Sequence, residues 1–411
     1  MKRSQIQPDP EVVLLSGKRT PFGTFGGSLR DRTATDLAEV SARGALAAAG
    51  VAASQVDQVI YGNALQTSAD APYLARHVGL RVGAPVESPA LTVNRLCGSG
   101  FQAITQAAQE ILLGEAEVVL AGGSESMSQA PHVLRGGRWG GLRLGPATGA
   151  FEDLLWASLL DAHCGLTMAE TAEEVADLHG VTREESDRVA LRSQERAYSA
   201  WEAGRFDAEI VPVHGGKPGS EQSFLRDEHL RPETRMETLS GLRPYFRKEG
   251  RVTAGNASGI GDGSASVVLA SRSWAERHGI LPLARVVSWA FVGVEPKWMG
   301  LGPVPAIRKA LARAGLSLAE VALVEVNEAF GPQVAAVERV LELDPEKTNV
   351  NGGAIALTHP LGASGARILV HLLHELRRRG GGYGVGSACI GGGQGAAVVI
   401  EVYPGSAVAA R

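Results

Sequence analysis

Cys97 stands in Asn94-Arg95-Leu96-Cys97-Gly98-Ser99-Gly100, directly ahead of a helical pattern. A thiol there feels the positive end of a helix dipole and its free N–H groups, which favour the thiolate, the form that attacks acyl carbons. The flanking glycines leave no Cβ in the way of a substrate. A buried structural cysteine is the commoner fate of this residue type, but position and glycines favour a nucleophile. Cys389 lies in Gly386-Ser387-Ala388-Cys389-Ile390-Gly391-Gly392-Gly393, where a strand passes into a turn. Taken alone, it reads equally as core filler or site residue. The run Gly391–Gly395 has the spacing of a dinucleotide fingerprint but opens no helix, so that reading is weak. His359 occurs in Asn351-Gly352-Gly353-Ala354-Ile355-Ala356-Leu357-Thr358-His359-Pro360. Pro360 keeps it extended and outside a helix, a setting suited to a catalytic base. Asn327-Glu328-Ala329-Phe330 follows the apolar run Val321–Val326. Polar residues at the C-terminal end of an α/β strand often belong to a site; the alternative is an N-cap for a helix over Gln333–Leu341.

The elements that must hold these residues alternate between strand and helix. Glu11–Leu15 is a short apolar run, Thr35–Ala49 a helical pattern ending at Gly50, and Gln58–Tyr61 is strand-like. After Gly98-Ser99-Gly100, the residues Phe101, Ile104, Ala108, Ile111 and Leu112 share a face, and Gly114 stops the run. Glu117–Ala121 is an apolar strand ending in Gly122-Gly123. The last third repeats the plan. Gly362-Ala363-Ser364-Gly365 opens a helix with the stripe Ile368, Leu369, Leu372, Leu373 and Leu376. Arg377-Arg378-Arg379 complement its negative end and Gly380 terminates it. A strand through Val385 and the turn Gly391-Gly392-Gly393 follow. This order suggests two copies of one α/β unit, each a mixed sheet covered by helices. Between them, from about Met127 to Arg251, the chain turns rich in Arg, Glu, His and Trp. It carries a helical pattern over Thr182–Ala203 and loop-like stretches at Pro212–Gly219 and Leu230–Pro232. That segment reads as an insertion covering a site built by the two halves.

Bulk properties narrow the classes. The 411 residues allow two or three units at roughly 100–200 residues each. A formal charge of -4 offers no field for nucleic acid or an anionic membrane, and no apolar run approaches the ~20 residues of a membrane span. The 52 glycines exceed the usual share of roughly 7% and cluster where backbone must approach backbone or ligand. Cys97, Cys164 and Cys389 form no Cys-x-x-Cys pair, so neither a metal site nor a disulfide framework is suggested. Such cysteine usage fits a reducing compartment. Met1–Pro10 lacks the apolar core of a signal peptide and the Arg/Ser-rich stretch of a transit peptide, and Ala410-Arg411 is no peroxisomal address. A soluble, cytoplasmic protein is expected.

Together, Asn94–Gly100, Val326–Gly331, Asn349–Gly365 and Cys389–Gly395, with Val252–Gly259 as a fifth block, resemble the thiolase family in order and spacing. The resemblance runs from Arg19-Thr20-Pro21-Phe22 to Glu401. Glu125-Ser126-Met127-Ser128-Gln129-Ala130-Pro131 and Asp227-Glu228-His229 are similar to mitochondrial-type 3-ketoacyl-CoA thiolases; with no presequence visible, a bacterial cytosolic relative is expected. The resemblance implies a five-layered αβαβα fold of two similar halves, residues 1–126 (completed by about 260–280) and 281–411, with an inserted loop domain over 127–259 covering CoA. It implies a homodimer or homotetramer acting on CoA and acyl-CoA thioesters in fatty acid metabolism, with β-oxidation as the route served. CoA is a substrate, and no cofactor or metal is implied.

The reaction so implied is thiolytic cleavage of 3-ketoacyl-CoA, or the reverse Claisen condensation, through an acyl-cysteine in a ping-pong cycle. Matching positions make Cys97 the nucleophile, His359 its activating base and Cys389 the acid/base at the acetyl-CoA α-carbon. Asn327 would hold a water that, with His359, stabilises one oxyanion, and the N–H groups of Cys97 and Gly391 would form a second oxyanion hole. CoA contacts map to Arg231, Ser258, Ala254, Phe330, Met168 and Met299. Two departures stand out: Thr358 replaces the family's usual Gly and would put a hydroxyl and two branches into the site wall, and Thr167 replaces the His typical of acetoacetyl-specific members. A ketosynthase or decarboxylating condensing enzyme of related architecture would place His where Cys389 stands. A non-catalytic acyl-CoA carrier should have lost Cys97, His359 and Cys389.

Overall fold

In the computed structural model, which describes residues 11–135, 151–214 and 223–405, the two halves of the chain build the same sheet twice. Strands β1 (Val12–Arg19), β2 (Gln58–Gly62), β3 (Ala90–Val93), β4 (Val118–Ser126) and β5 (Gly261–Ser271) lie in the order β1-β5-β4-β2-β3. Strands β6 (Ala284–Gly293), β7 (Val321–Val326), β8 (Gly382–Ile390) and β9 (Gln394–Val402) lie in the order β6-β9-β8-β7. In each half the first two pairings are antiparallel and the rest parallel. A parallel bridge from Val324 to Thr348 takes the place that β3 holds in the first half. One short antiparallel contact, Val13 with Arg285 and Leu14 with Ala284, joins the two sheets.

Helices α1 (Ala34–Ala49) and α2 (Leu74–Val82) cover the outer face of the first sheet, and α3 (Ser99–Leu113) lies on its inner face. Helices α4 (Met168–His179) and α5 (Arg183–Glu202) belong to the segment between β4 and β5. The second sheet carries α6 (Pro303–Ala314) and α7 (Gly331–Leu341) outside, while α8 (Leu361–Arg378) packs on α3 between the sheets. Five layers result. The middle one forms because both helices bury their stripes: Phe101, Ile104, Ala108 and Ile111 of α3 meet Ile368, Leu369, Leu372, Leu373 and Leu376 of α8 in one core with Val119, Val267 and Val398. Each such large apolar side chain contributes about 1.5–3 kcal/mol by leaving water. Leu112 does not join them. It is 40% exposed, because one residue past Ile111 is a turn of about 100° around the helix.

Helix ends follow local chemistry. Thr33 caps α1 in a box with Asp36, Thr182 caps α5 with Glu185, and Gly50 and Gly114 close α1 and α3 in the left-handed conformation. Arg377 and Arg378 occupy the last turn of α8 as expected. The expectation that Gly122-Gly123 ends a strand is corrected: β4 runs through both to Ser126. Gly123 lacks a side chain because the Gly362 carbonyl at the start of α8 occupies the place of its Cβ. Met1–Pro10, residues 215–219 and Ala410-Arg411 lie outside the described residues. Among the described residues no helix is long and apolar enough to cross a membrane.

Candidate active site

The reactive residues meet because α3 and α8 touch backbone to backbone at their starts. A Cβ on Gly100 would lie 2.5 Å from the Ala366 nitrogen, and one on Gly365 would lie 2.5 Å from the Phe101 nitrogen. Only glycine at both positions permits this crossing. Cys97 sits in the short turn Leu96–Gly98 that leads into α3, and His359-Pro360 leads into α8. The second sheet supplies the rest. Its neighbouring parallel strands β7 and β8 pair Val326 with Ser387, so Asn327 and Cys389 emerge side by side at their C-terminal ends. Asn327 N–H donates to the Ser387 carbonyl at 2.8 Å.

A cavity of about 700 Å³ opens over this junction, lined mostly by apolar groups. Cys97, His359 and Cys389 line it, as do Arg231, Ser258, Ala254, Phe330, Met168 and Met299. Asn327 and Gly391 are not lining residues. Asn327 is fully buried and reaches the cavity through His359, its Nδ2 standing 3.3 Å from Nε2. Gly391 presents its backbone to the site: its N–H and that of Cys97 are directed at the Cys97 sulfur. The helix-cap alternative for Asn327 and Glu328 does not hold, since Phe330 occupies the N-cap of α7. Glu328 instead ties α5 to the site loop, accepting from Ser193 Oγ at 2.6 Å, Asn349 Nδ2 at 3.0 Å and Ile355 N–H at 3.1 Å.

The protonation pattern differs from the sequence expectation. Burial pushes the Cys97 thiol up to about 11, against the two N–H groups that lower it. The expected thiolate is therefore corrected to a neutral thiol, because the cost of desolvating a sulfur anion exceeds the help of a helix start. Burial likewise raises Cys389. His359 moves the other way: burial, then the Arg367 charge, lowers it to about 3, so it is a neutral base at pH 7. Ser364 Oγ donates to the Pro360 carbonyl at 2.9 Å and lies 2.5 Å from His359 Nδ1. With its proton so committed, the hydroxyl accepts from Nδ1–H, which leaves the lone pair on Nε2. A neutral thiol and a neutral imidazole form a pair that reacts by moving a proton during attack.

Two residues of this arrangement were not anticipated as functional. Ser364 was read only as part of a helix start, yet it fixes the tautomer of His359. Glu125, quoted only as part of a motif, is buried under the Cys97 turn and accepts from Ala64 N–H, Leu65 N–H and Gly362 N–H. Burial raises it to about 7 despite these bonds. Glu328 was read as a candidate site residue with a helix cap as the alternative. Of the departures noted, Thr167 lines the cavity and caps α4 in a box with Glu170. Thr358 is not among the cavity-lining residues; of the two outcomes expected, a narrowed site or a hydrogen bond nearby, it makes the second. It is 1% exposed and turns its hydroxyl away, onto the Gly259 carbonyl at 2.6 Å.

This electrostatic pattern predicts how Cys97 meets an alkylating agent. Below a pKa of about 11, the thiolate fraction rises about tenfold per pH unit. In His359→Ala the rate of iodoacetamide labelling should follow that rise from about pH 5 to about pH 9. In the parent the neutral base opens a second path, flat over the same range because His359 titrates only near 3. Identical pH slopes in parent and variant would show that His359 does not assist Cys97.

Comparison with known proteins agrees with this geometry along the whole chain. The family model described as "Thiolase, N-terminal domain" matches residues 12–273, and "Thiolase, C-terminal domain" matches residues 280–402. The human protein named "3-ketoacyl-CoA thiolase, mitochondrial" is 58% identical over 95% of this chain and 98% of its own. A beta-ketothiolase of Cupriavidus necator is 48% identical over 95% and 99%. The crystal structure of the human mitochondrial enzyme in complex with CoA superposes with a TM-score of 0.93 at 57% identity, covering 96% of this chain and 98% of that one. The cytoplasmic location expected from the sequence is corrected by the relatives: five proteins 54–58% identical to this chain, from human to mouse, are named mitochondrial.

Proposed function

The chain belongs to the thiolase family, and on that premise we propose which of its residues carry the reaction. It is an acyltransferase that cleaves 3-ketoacyl-CoA thiolytically or runs the reverse condensation. The carrying observation is that a neutral thiol, a neutral imidazole and a second buried thiol line one apolar cavity. In our reading His359 Nε2 takes the Cys97 proton as the sulfur attacks the 3-keto carbon. The resulting oxyanion collapses with rupture of the C2–C3 bond, leaving the acyl group on Cys97 and an acetyl-CoA enolate. Cys389 gives its proton to C2 of that enolate. Protonated His359 passes its proton back to the Cys389 thiolate. The thiol of a second CoA then attacks the acyl group, His359 accepting that thiol's proton and giving it to the Cys97 sulfur as it leaves.

Two oxyanion sites suit these steps. The N–H groups of Cys97 and Gly391, directed at the Cys97 sulfur, are one; such a preorganised donor contributes ~3–4 kcal/mol. The other pairs His359 with a water on Asn327. In support, Asn327 Oδ1 is a buried acceptor with no hydrogen-bond partner among the described residues, the kind of atom that holds ordered water. CoA would lie along Arg231, Ala254, Ser258, Phe330, Met168 and Met299, and residues 127–259 would serve as the covering loop domain. CoA acts here as substrate, so the scheme requires no separate cofactor. A homodimer or homotetramer, and service in β-oxidation of fatty acids, belong to the same reading; the naming of the relatives as 3-ketoacyl-CoA thiolases supports the latter.

Thr167 bears on substrate range. Threonine leaves more room than histidine, and Trp156, Leu159, Met127 and Leu361 extend the apolar lining. We expect kcat/KM on six- to eight-carbon 3-ketoacyl-CoA at least comparable to that on acetoacetyl-CoA, within about tenfold, since one methylene in a pocket is worth ~1–3 kcal/mol. Steady-state thiolysis assays across chain lengths test both activity and range. Strict dependence on acetoacetyl-CoA would overturn the range, and no thiolysis at any length would overturn the function.

A further inference from the structure

We propose that Thr358 is a positioning residue of the thiolase reaction, its hydroxyl tethering the segment that carries His359. The inference rests on the reading of His359 as the base for Cys97. Thr358 has φ +80° and ψ 168°, a region almost confined to glycine and unfavourable for a β-branched side chain. Something must hold the residue there. Its Oγ1 donates to the Gly259 carbonyl at 2.6 Å, and the N–H of His359 donates to the same oxygen at 2.9 Å. Two successive residues are thus pinned to one carbonyl beside Ser258, on the strip of chain that lines the cavity. Gly261 supplies the room: a Cβ placed there would stand 2.7 Å from Thr358 Oγ1 and 2.8 Å from its Cγ2.

The consequence is unlike that of an ordinary packing residue. Glycine at this position would adopt the backbone angles without strain and need no tether. Threonine resists them, so its hydroxyl bond is what keeps the peptide, and with it His359 N–H, in place. Removing the hydroxyl while keeping the branched shape should therefore be worse than removing the whole side chain. A misplacement of ~1 Å in a reacting group costs up to about a hundredfold in rate, and a partial shift costs less.

The test is single-turnover acetyl transfer from acetyl-CoA to the peptide holding Cys97, read by mass, alongside kcat and KM. Thr358→Val should slow acetyl transfer and kcat about tenfold with KM within about twofold, whereas Thr358→Ser and Thr358→Gly stay within about threefold of the parent. Thr358→Ala, less strained but also without the hydroxyl, should fall between them and serves where the valine variant does not fold. A valine or alanine variant equal to the parent overturns the proposal. So does a serine variant as slow as valine, or a loss carried by KM alone. If the parent itself places no acetyl group on Cys97, the underlying reading of the site fails instead, and the two failures are told apart.

Discussion

Replacing Cys97 with alanine should leave a protein that takes no acetyl group from acetyl-CoA and loses thiolysis by roughly 10⁴-fold or more, the scale on which an enzyme depends on its covalent nucleophile. The loss should be this complete because nothing else in the cavity can substitute. Cys164 is not among the cavity-lining residues. Cys389 lines the cavity but its thiol is raised by burial, and its neighbours include the apolar Met299 and Ala329. His359, with its Nδ1–H committed to Ser364, would hold a lone pair with no thiol to deprotonate. The fold should persist, since the turn Leu96–Gly98 is set by backbone and by the hydrogen bond from Ser99 Oγ to the Leu96 carbonyl at 2.7 Å. Intact mass and peptide mapping after incubation with acetyl-CoA decide the matter. Acetyl label on Cys164 or Cys389 in the parent, or surviving turnover in the variant, would remove Cys97 from its role.

Why these residues could be found without coordinates, and others could not, has a physical basis. Cys97, Cys389 and His359 stand where elements end, and glycine or proline beside each marks the end in the sequence itself. The stripes of α3 and α8 were legible because a buried helix must repeat its apolar residues at helical spacing. The repeat of the two halves was legible for the same reason, and the strand orders β1-β5-β4-β2 and β6-β9-β8-β7 bear it out. Sequence patterns fail where a property depends on what lies far along the chain. Glu125 receives the Gly362 N–H across 237 residues, and no local pattern announces that. The charge state of Cys97 was misread because the helix start is local and visible, whereas the desolvation that outweighs it comes from the whole enclosure. Gly123 was taken for a strand end, since a glycine that stops a strand and one that admits another backbone look alike until Gly362 is seen against it. Thr358 was assigned to the cavity wall on adjacency to His359, but its backbone angles send the side chain to Gly259.

The two cysteines should separate cleanly by role, and Cys389→Ala is the variant that shows it. Cys97 and His359 remain in that variant, so acetyl-CoA should still deliver an acetyl group to the Cys97 peptide, more slowly. What should vanish is exchange of the acetyl-CoA methyl protons with deuterated solvent, and with it condensation and cleavage, by about 100-fold or more, the usual loss when a general acid/base is removed. The acid/base assignment follows from where Cys389 sits. It stands one residue before the end of β8, near Asn327, its pKa is raised by burial, and a thiol so held stays protonated until a carbanion arrives to take the proton. The change itself removes one sulfur from a small apolar cluster of Met299 and Ala329, which should cost stability only modestly, about 1 kcal/mol. Proton exchange followed by NMR, run beside mass-detected acetylation, therefore reads chemistry and not folding. Full exchange in Cys389→Ala would transfer the proton step to another group, with His359 the first to examine, and loss of acetylation together with exchange would mean that the two thiols act as one unit.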